Sequence, residues 1–284
     1  MLATVWTMTN AGAPRPNSKE PGSTARVEYR ALLNSQPEHP WGCNSGLYVE
    51  DSTRPPCRPA TPWLTACMAV PYGPWVESWF SSDRFATYLR MAGHDRSRAL
   101  ALYEWSTSLN AALLHDFAHL EVGLRNMYDT ALKGAVAGGD IHWLDSTSAD
   151  HLFPRSVAGN ARTHRDIATA RDNAGGNAAP AGKVIAELTF GFWVFLTSRR
   201  HEPLVWLPHL AHAYPSGTHR VQLHNGLSDL LKARNRVAHH EPATARSGRE
   251  IIRRIRGHAR YISAELAQHI DATSTVETII RNRP

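Results

Sequence analysis

Leu109-Asn110-Ala111-Ala112-Leu113-Leu114-His115-Asp116-Phe117-Ala118-His119-Leu120-Glu121-Val122-Gly123-Leu124-Arg125-Asn126-Met127-Tyr128-Asp129-Thr130-Ala131 decides the fold class. Leu109, Leu113, Phe117, Leu120, Leu124, Met127 and Ala131 recur every three or four residues, the spacing that aligns side chains along one face of a helix. No proline interrupts the pattern, which predicts one very long helix over residues 97–136, closed by Gly138-Gly139. A helix carrying one continuous apolar stripe needs partners to cover it, and the flanking sequence supplies them. A helix is expected over residues 83–91, ending at Gly93, and one is expected over 157–171. Others follow near 205–213, over 219–239, and as a last long helix over 246–270. No two-residue alternation persists long enough for a sheet, so the expected fold is all-α, a helical bundle. The block Phe190, Phe192, Trp193 and Phe195 is flanked by Leu188, Val194 and Leu196 and has no interleaved basic residue. It reads as core rather than as a platform for stacking bases.

Residues 1–72 are different in kind: rich in Pro, Ser, Thr, Gly and Asn, with no sustained periodicity. They are expected to form a disordered N-terminal extension, either a regulatory tail or sequence upstream of a natural start at Met68. Residues 73–284 then form the helical domain.

Composition narrows the function classes. The 284 residues carry a formal net charge of +6, and lysine occurs only at Lys19, Lys133, Lys183 and Lys232, so the basic groups are mostly arginine. This fits a nucleic-acid partner and equally fits a compositional bias. Cys43, Cys57 and Cys67 are odd in number and have no paired spacing, which argues against a disulfide framework and a zinc site. No apolar run is long enough for a membrane span, and no secretory signal pattern is read, so a cytoplasmic protein is expected. His209, His212, His219 and His224 lack the carboxylate–histidine pattern of a zinc hydrolase and are expected to face solvent. The loop at residues 176–183 fails as a phosphate loop, because Val184 stands where Ser or Thr would bind magnesium. Neither a metal nor another cofactor is expected.

The functional signal is Arg234-Asn235-Arg236-Val237-Ala238-His239-His240-Glu241-Pro242. From Leu223, the residues Leu227, Leu230, Leu231 and Ala238 read as one apolar stripe, with Arg234 in its middle. Guanidinium groups are almost never buried unpaired, so Arg234 is either held by a carboxylate or aimed into a polar cleft. Pro242 stops the helix and leaves His239 near its end. RNA can be cut by its own 2′-hydroxyl, which requires proton transfers and cationic support for the crowded phosphate. Histidine titrates near neutrality, and arginine matches phosphate with a two-pronged donor set. Five residues of helix turn these two side chains about 140° apart, so they converge only if His239 swings at the helix end or two subunits meet there. The alternative is a helix-end histidine on the last carbonyls and a structurally paired arginine.

Two further groups have two readings each. Glu121 and Arg125 are spaced for an exposed ion pair within one helix, or Glu121 turns to Arg234 or His239. Arg249, Arg253, Arg256 and Arg260 form one basic stripe opposite Ile251, Ile255, Ile262 and Leu266. That stripe is either an RNA-binding face or the solvated side of an amphipathic helix.

The segment at residues 234–242 resembles the signature of the Abi-like, or abortive-infection, branch of the HEPN superfamily: arginine, a polar residue and, after a short interval, histidine. Other segments resemble that branch in the same order: Ser82-Asp83-Arg84-Phe85-Ala86-Thr87-Tyr88-Leu89, Ala101-Leu102-Tyr103-Glu104-Trp105 and His119-Leu120-Glu121-Val122-Gly123-Leu124-Arg125-Asn126. Ile185-Ala186-Glu187-Leu188-Thr189-Phe190-Gly191-Phe192-Trp193 and Leu204-Val205-Trp206 complete the set, which spans residues 75–265. Many superfamily members have tyrosine where this chain has Glu241. The resemblance implies a HEPN-type bundle, a homodimer, and metal-independent endoribonuclease activity in a toxin or phage-defence role, with an antitoxin as a partner in some members. It implies Arg234, Asn235 and His239 as catalytic, and Glu121, Arg125 and His240 as support. A non-catalytic RNA-binding or toxin–antitoxin interaction module on the same bundle is the alternative.

Overall fold

The computed structural model describes residues 72–136 and 142–284. The expected extension, residues 1–72, therefore lies outside the described residues except for Tyr72, as does the Gly138-Gly139 pair. Tyr72 belongs with the helices: its ring stacks on Phe85 at 5.8 Å, and its hydroxyl donates to Glu77 at 2.6 Å.

Among the described residues there are helices and no strand, so the chain is all-α there. Helix α1 (Pro74–Phe80) and helix α2 (Ser82–Met91) lead into α3 (Arg96–Lys133), the long helix, with 38 residues. The Asp95 side chain caps α3 by accepting the Arg98 N–H at 2.9 Å. Leu109, Leu113, Phe117, Leu120 and Leu124 are buried as the periodicity requires, and the stripe continues through Tyr128 and Leu132. Met127 and Ala131 pack at its partly buried edge.

Helices α4 (Ser146–Leu152) and α5 (Asn160–Ala174) occupy the stretch expected to hold a single helix. Helices α6 (Ala181–Glu187) and α7 (Phe190–Leu196) follow. Phe190, Phe192 and Trp193 of α7 are core residues, while Phe195 sits at its edge under the Arg162 guanidinium, 4.7 Å from the ring centre. The helix expected near residues 205–213 is not an α-helix. Arg199–His201 and Leu210–Ala213 are short 3₁₀ turns, and Glu202–Trp206 is a single π turn closed by Leu207 N–H to Glu202 O at 2.9 Å. Pro203 and Pro208 lack the amide hydrogens an α-helix would need there.

Helix α8 (Arg220–Ala238) matches its expected span. The last long helix divides into α9 (Ala245–Ile262) and α10 (Ala264–Thr273), and α11 (Val276–Arg281) was not foreseen. Ser263 makes the break: its backbone is extended, and its hydroxyl accepts the Leu266 N–H at 2.9 Å, so it caps α10. Helices α8 and α9 approach closely at Gly226, where a Cβ would lie 2.6 Å from the His258 ring.

Polar side chains on the buried face of α3 tie distant segments to it. Trp105 Nε1 donates to Ile279 O of α11 at 2.7 Å. The fully buried Asp116 accepts from Ser274 Oγ at 2.6 Å and lies 3.1 Å from His115 Nδ1. The hydroxyls of Tyr128 and Tyr214 meet at 2.6 Å, and burial pushes both phenols up. Of the histidines expected to face solvent, His224 is instead partly buried against Thr197, with Oγ1 and Nδ1 2.8 Å apart, and His209 is partly buried too. No described helix is long and apolar enough to cross a membrane.

Burial lowers His201, His224 and His258 below the ordinary histidine value of 6.5. They stay neutral in the folded chain, whereas the unfolded chain takes up protons near 6.5. Their contribution to stability is therefore complete above that pH and is lost as pH falls toward their folded-state values. The denaturant midpoint is expected to drop on acidification through 6.5. His201→Gln should flatten that dependence, and an unchanged slope would remove His201 from the account.

Candidate functional site

Helix α8 ends in a turn rather than at its proline. His239 is the last half-helical residue, and His240 adopts a left-handed backbone with φ 55°. Its N–H donates to Val237 O at 3.0 Å, and the Glu241 N–H reaches Arg236 O at 3.1 Å. This pair of bonds satisfies carbonyls that a helix end otherwise leaves open. Glycine is the usual occupant of the left-handed position, so a histidine there carries backbone strain.

The turn is fixed from below by the long helix. Asn110 Nδ2 donates to Glu241 O at 3.0 Å, and the Ala243 N–H donates to Ser106 Oγ at 2.9 Å. Asn110 and Ser106 are both buried on the apolar face of α3, and Tyr88 of α2 donates its hydroxyl to Ser106 at 3.3 Å. Buried polar groups are costly unless bonded, so these side chains and the turn satisfy each other. Arg84 of α2 adds a bond to His240 O at 2.9 Å. Sequence reasoning missed all four residues. The available signal was two polar residues, Ser106 and Asn110, four apart on the mainly apolar face of α3.

Arg234 meets a carboxylate, the first of the two expected situations. Its Nε lies 3.0 Å from Glu121 Oε1, a pair spanning α8 and α3. The guanidinium is not in the middle of a buried stripe, however. Leu223, Leu227, Leu230, Ala233 and Val237 are the buried residues of α8, while Leu231, Arg234 and Ala238 are only partly buried. Ala233 takes the inner position, and the Arg234 side chain is 38% exposed. Such a pair contributes about 1 kcal/mol or less. Glu121 does not pair with Arg125, whose Nε is buried without a hydrogen-bond partner.

The remaining motif side chains point elsewhere. Asn235 and Arg236 line a cleft of about 730 Å³ between α8 and α9, with Asp229, Lys232, Ala233, Glu250, Ile251 and Arg254. His239 and His240 are exposed, and among the described residues neither imidazole has a side-chain partner. One protomer therefore brings Arg234 to Glu121, and no hydrogen bond joins Arg234 to His239.

The basic stripe of α9 is largely neutralised. Arg249 pairs with Glu277 at 3.2 Å, Arg253 with Glu250 at 2.6 Å, and Arg256 with Asp271. Arg260 is exposed and has no carboxylate partner among the described residues. Arg254, off the stripe, bridges Asp229 at 2.9 Å and Glu250 at 2.6 Å. The Arg254 contact holds the Asp229 carboxyl below its ordinary value, and Arg253 and then Arg254 do the same for Glu250. No family model, no curated protein and no solved structure matched the chain in comparison.

The strained turn gives a direct expectation. His240→Gly removes the left-handed penalty and should raise stability by about 0.5–1 kcal/mol in denaturant unfolding. A loss of stability would show that the imidazole itself holds the turn.

Proposed function

We propose that the chain is a cytoplasmic, Abi-like HEPN protein that cleaves RNA without a metal, in a toxin or phage-defence role. What supports this most is a single arrangement. A histidine-bearing helix end is locked to the long helix through Asn110 and Ser106, with a carboxylate-braced arginine one turn back on the same helix. A site that must hold a phosphate and move protons needs side chains on a backbone that does not drift, and this turn meets that need.

In the proposed reaction the RNA 2′-oxygen attacks the adjacent phosphorus as its proton passes to a base. The bond to the 5′-oxygen breaks as that oxygen gains a proton, leaving a 2′,3′-cyclic phosphate and a 5′-hydroxyl. His239 is the proton-transfer residue. Arg234 spends only its Nε on Glu121, so its terminal nitrogens remain for phosphate oxygens, and Asn235 and His240 supply further polar groups. Because one His239 cannot be base and acid in a single step, a homodimer that pairs two helix ends would supply the second imidazole.

A second reading, a non-catalytic RNA-binding or toxin–antitoxin interaction module, draws on the absence of a hydrogen bond between Arg234 and His239 within a protomer. The two separate in one assay. His239→Ala should abolish RNA cleavage while leaving the fold and oligomeric state intact, and wild-type cleavage should persist in EDTA. RNA binding without cleavage by the wild type would favour the module.

A further inference from the structure

Among the described residues, Arg236 is a cation at this cleft that no carboxylate pairs with. Arg234 leans on Glu121, Lys232 lies 3.5 Å from Asp229, and Arg254 is clamped between Asp229 and Glu250. The Arg236 side chain is exposed and makes no hydrogen bond or ion pair among the described residues. Its backbone, in contrast, is fixed, since its carbonyl accepts the Glu241 N–H that closes the turn.

Its surroundings are concave. Arg236 lines the cleft of about 730 Å³ between α8 and α9 and also the smaller cavity of about 190 Å³ beside Asn110, Glu241 and Pro242. The Asn235 amide lines the larger cleft with it. Both carboxylates of that cleft already have cationic partners, Asp229 in Lys232 and Arg254 and Glu250 in Arg253 and Arg254, so the group left to meet a ligand is a guanidinium beside an amide. A guanidinium presents paired donors that match phosphate oxygens, and an amide adds a donor without charge.

We propose that Arg236 anchors a second phosphate seat, which holds a non-scissile phosphate of single-stranded RNA in the α8–α9 cleft. The proposal rests on the RNA-cleaving reading above. Arg234 and Arg236 are two residues apart and so lie about 200° apart around the helix. A strand touching both crosses the end of α8, where His239 stands. The cleft has the volume of a small-ligand pocket, a scale that suits one extended backbone. A duplex, recognised by its shape across a broad shallow groove, would meet only the rim.

The test measures binding of the full chain to a 2′-deoxy-substituted, uncleavable single-stranded oligonucleotide across a salt series, beside cleavage kinetics on the RNA form. Arg236→Ala is expected to weaken binding by about tenfold, one charge-assisted bond. It should also reduce the log–log salt slope by about 0.7, one phosphate contact on a single strand. KM should rise while kcat and the thermal midpoint hold, and Arg236→Lys should restore the slope. Arg236→Ala with an unchanged slope and KM overturns the seat while wild-type cleavage keeps the parent reading standing. Loss of kcat at constant KM moves Arg236 into the reacting centre and also overturns it. Equal binding of a duplex with the same sensitivity to Arg236→Ala overturns the single-strand assignment. A wild type that neither binds nor cleaves RNA ends both readings.

Discussion

The apolar face of a 38-residue helix has to be covered along its whole length, about 57 Å. No single partner reaches that far. The N-terminal half of α3 is covered by α1 and α2 through Phe80, Phe85 and Tyr88, and by α11 through Val276 and Ile280. Further along, α8, α9, α10 and the aromatic helix α7 close over Leu113, Phe117, Leu120, Leu124 and Tyr128. The shorter helices have little stability of their own at this length; their burial against α3 is what holds them.

The same helix that organises the core also positions the candidate site. Its buried Asn110 and Ser106 would be a cost in a purely apolar face, yet each is bonded to the turn after α8. Its Glu121, partly exposed, reaches Arg234. Two polar interruptions of the stripe, Ser106 and Asn110, and the charge of Glu121 at its edge thus converge on one stretch, residues 234–243. The arrangement leaves His239 and His240 outward on a fixed backbone and leaves Arg236 without a carboxylate beside a cleft.

Much of the fold was legible because it is written in local periodicity. The spans of α2, α3 and α8 follow from the spacing of apolar residues, and the aromatic run of α7 was legible as core although its helix was not. Two of the misreadings share a cause: a local capping or backbone effect overrode the apolar pattern. Ser263 turned one long amphipathic stretch into two helices by capping the second. Pro203 and Pro208 turned an apolar run into 3₁₀ and π turns. Ala233 occupies the inner position of α8, and Arg234 beside it stands at the edge with its side chain 38% exposed. The arginine stripe of α9 was legible as a pattern, but its neutralisation was not, since Glu277 and Asp271 come from helices that fold back onto it.

By itself the sequence determined that residues 73–284 form a helical domain, that one helix runs much longer than the rest, and that the polar residues at 234–242 are out of keeping with an ordinary helix end. Those are properties of neighbours a few residues apart. Only the tertiary structure decided what each polar group meets. Glu121 and Arg234 are 113 residues apart, Asn110 and Glu241 131, and Ser106 and Ala243 137. Pairings at such separation depend on how helices cross and rotate once their apolar faces are buried, and side-chain spacing along one helix carries no record of that.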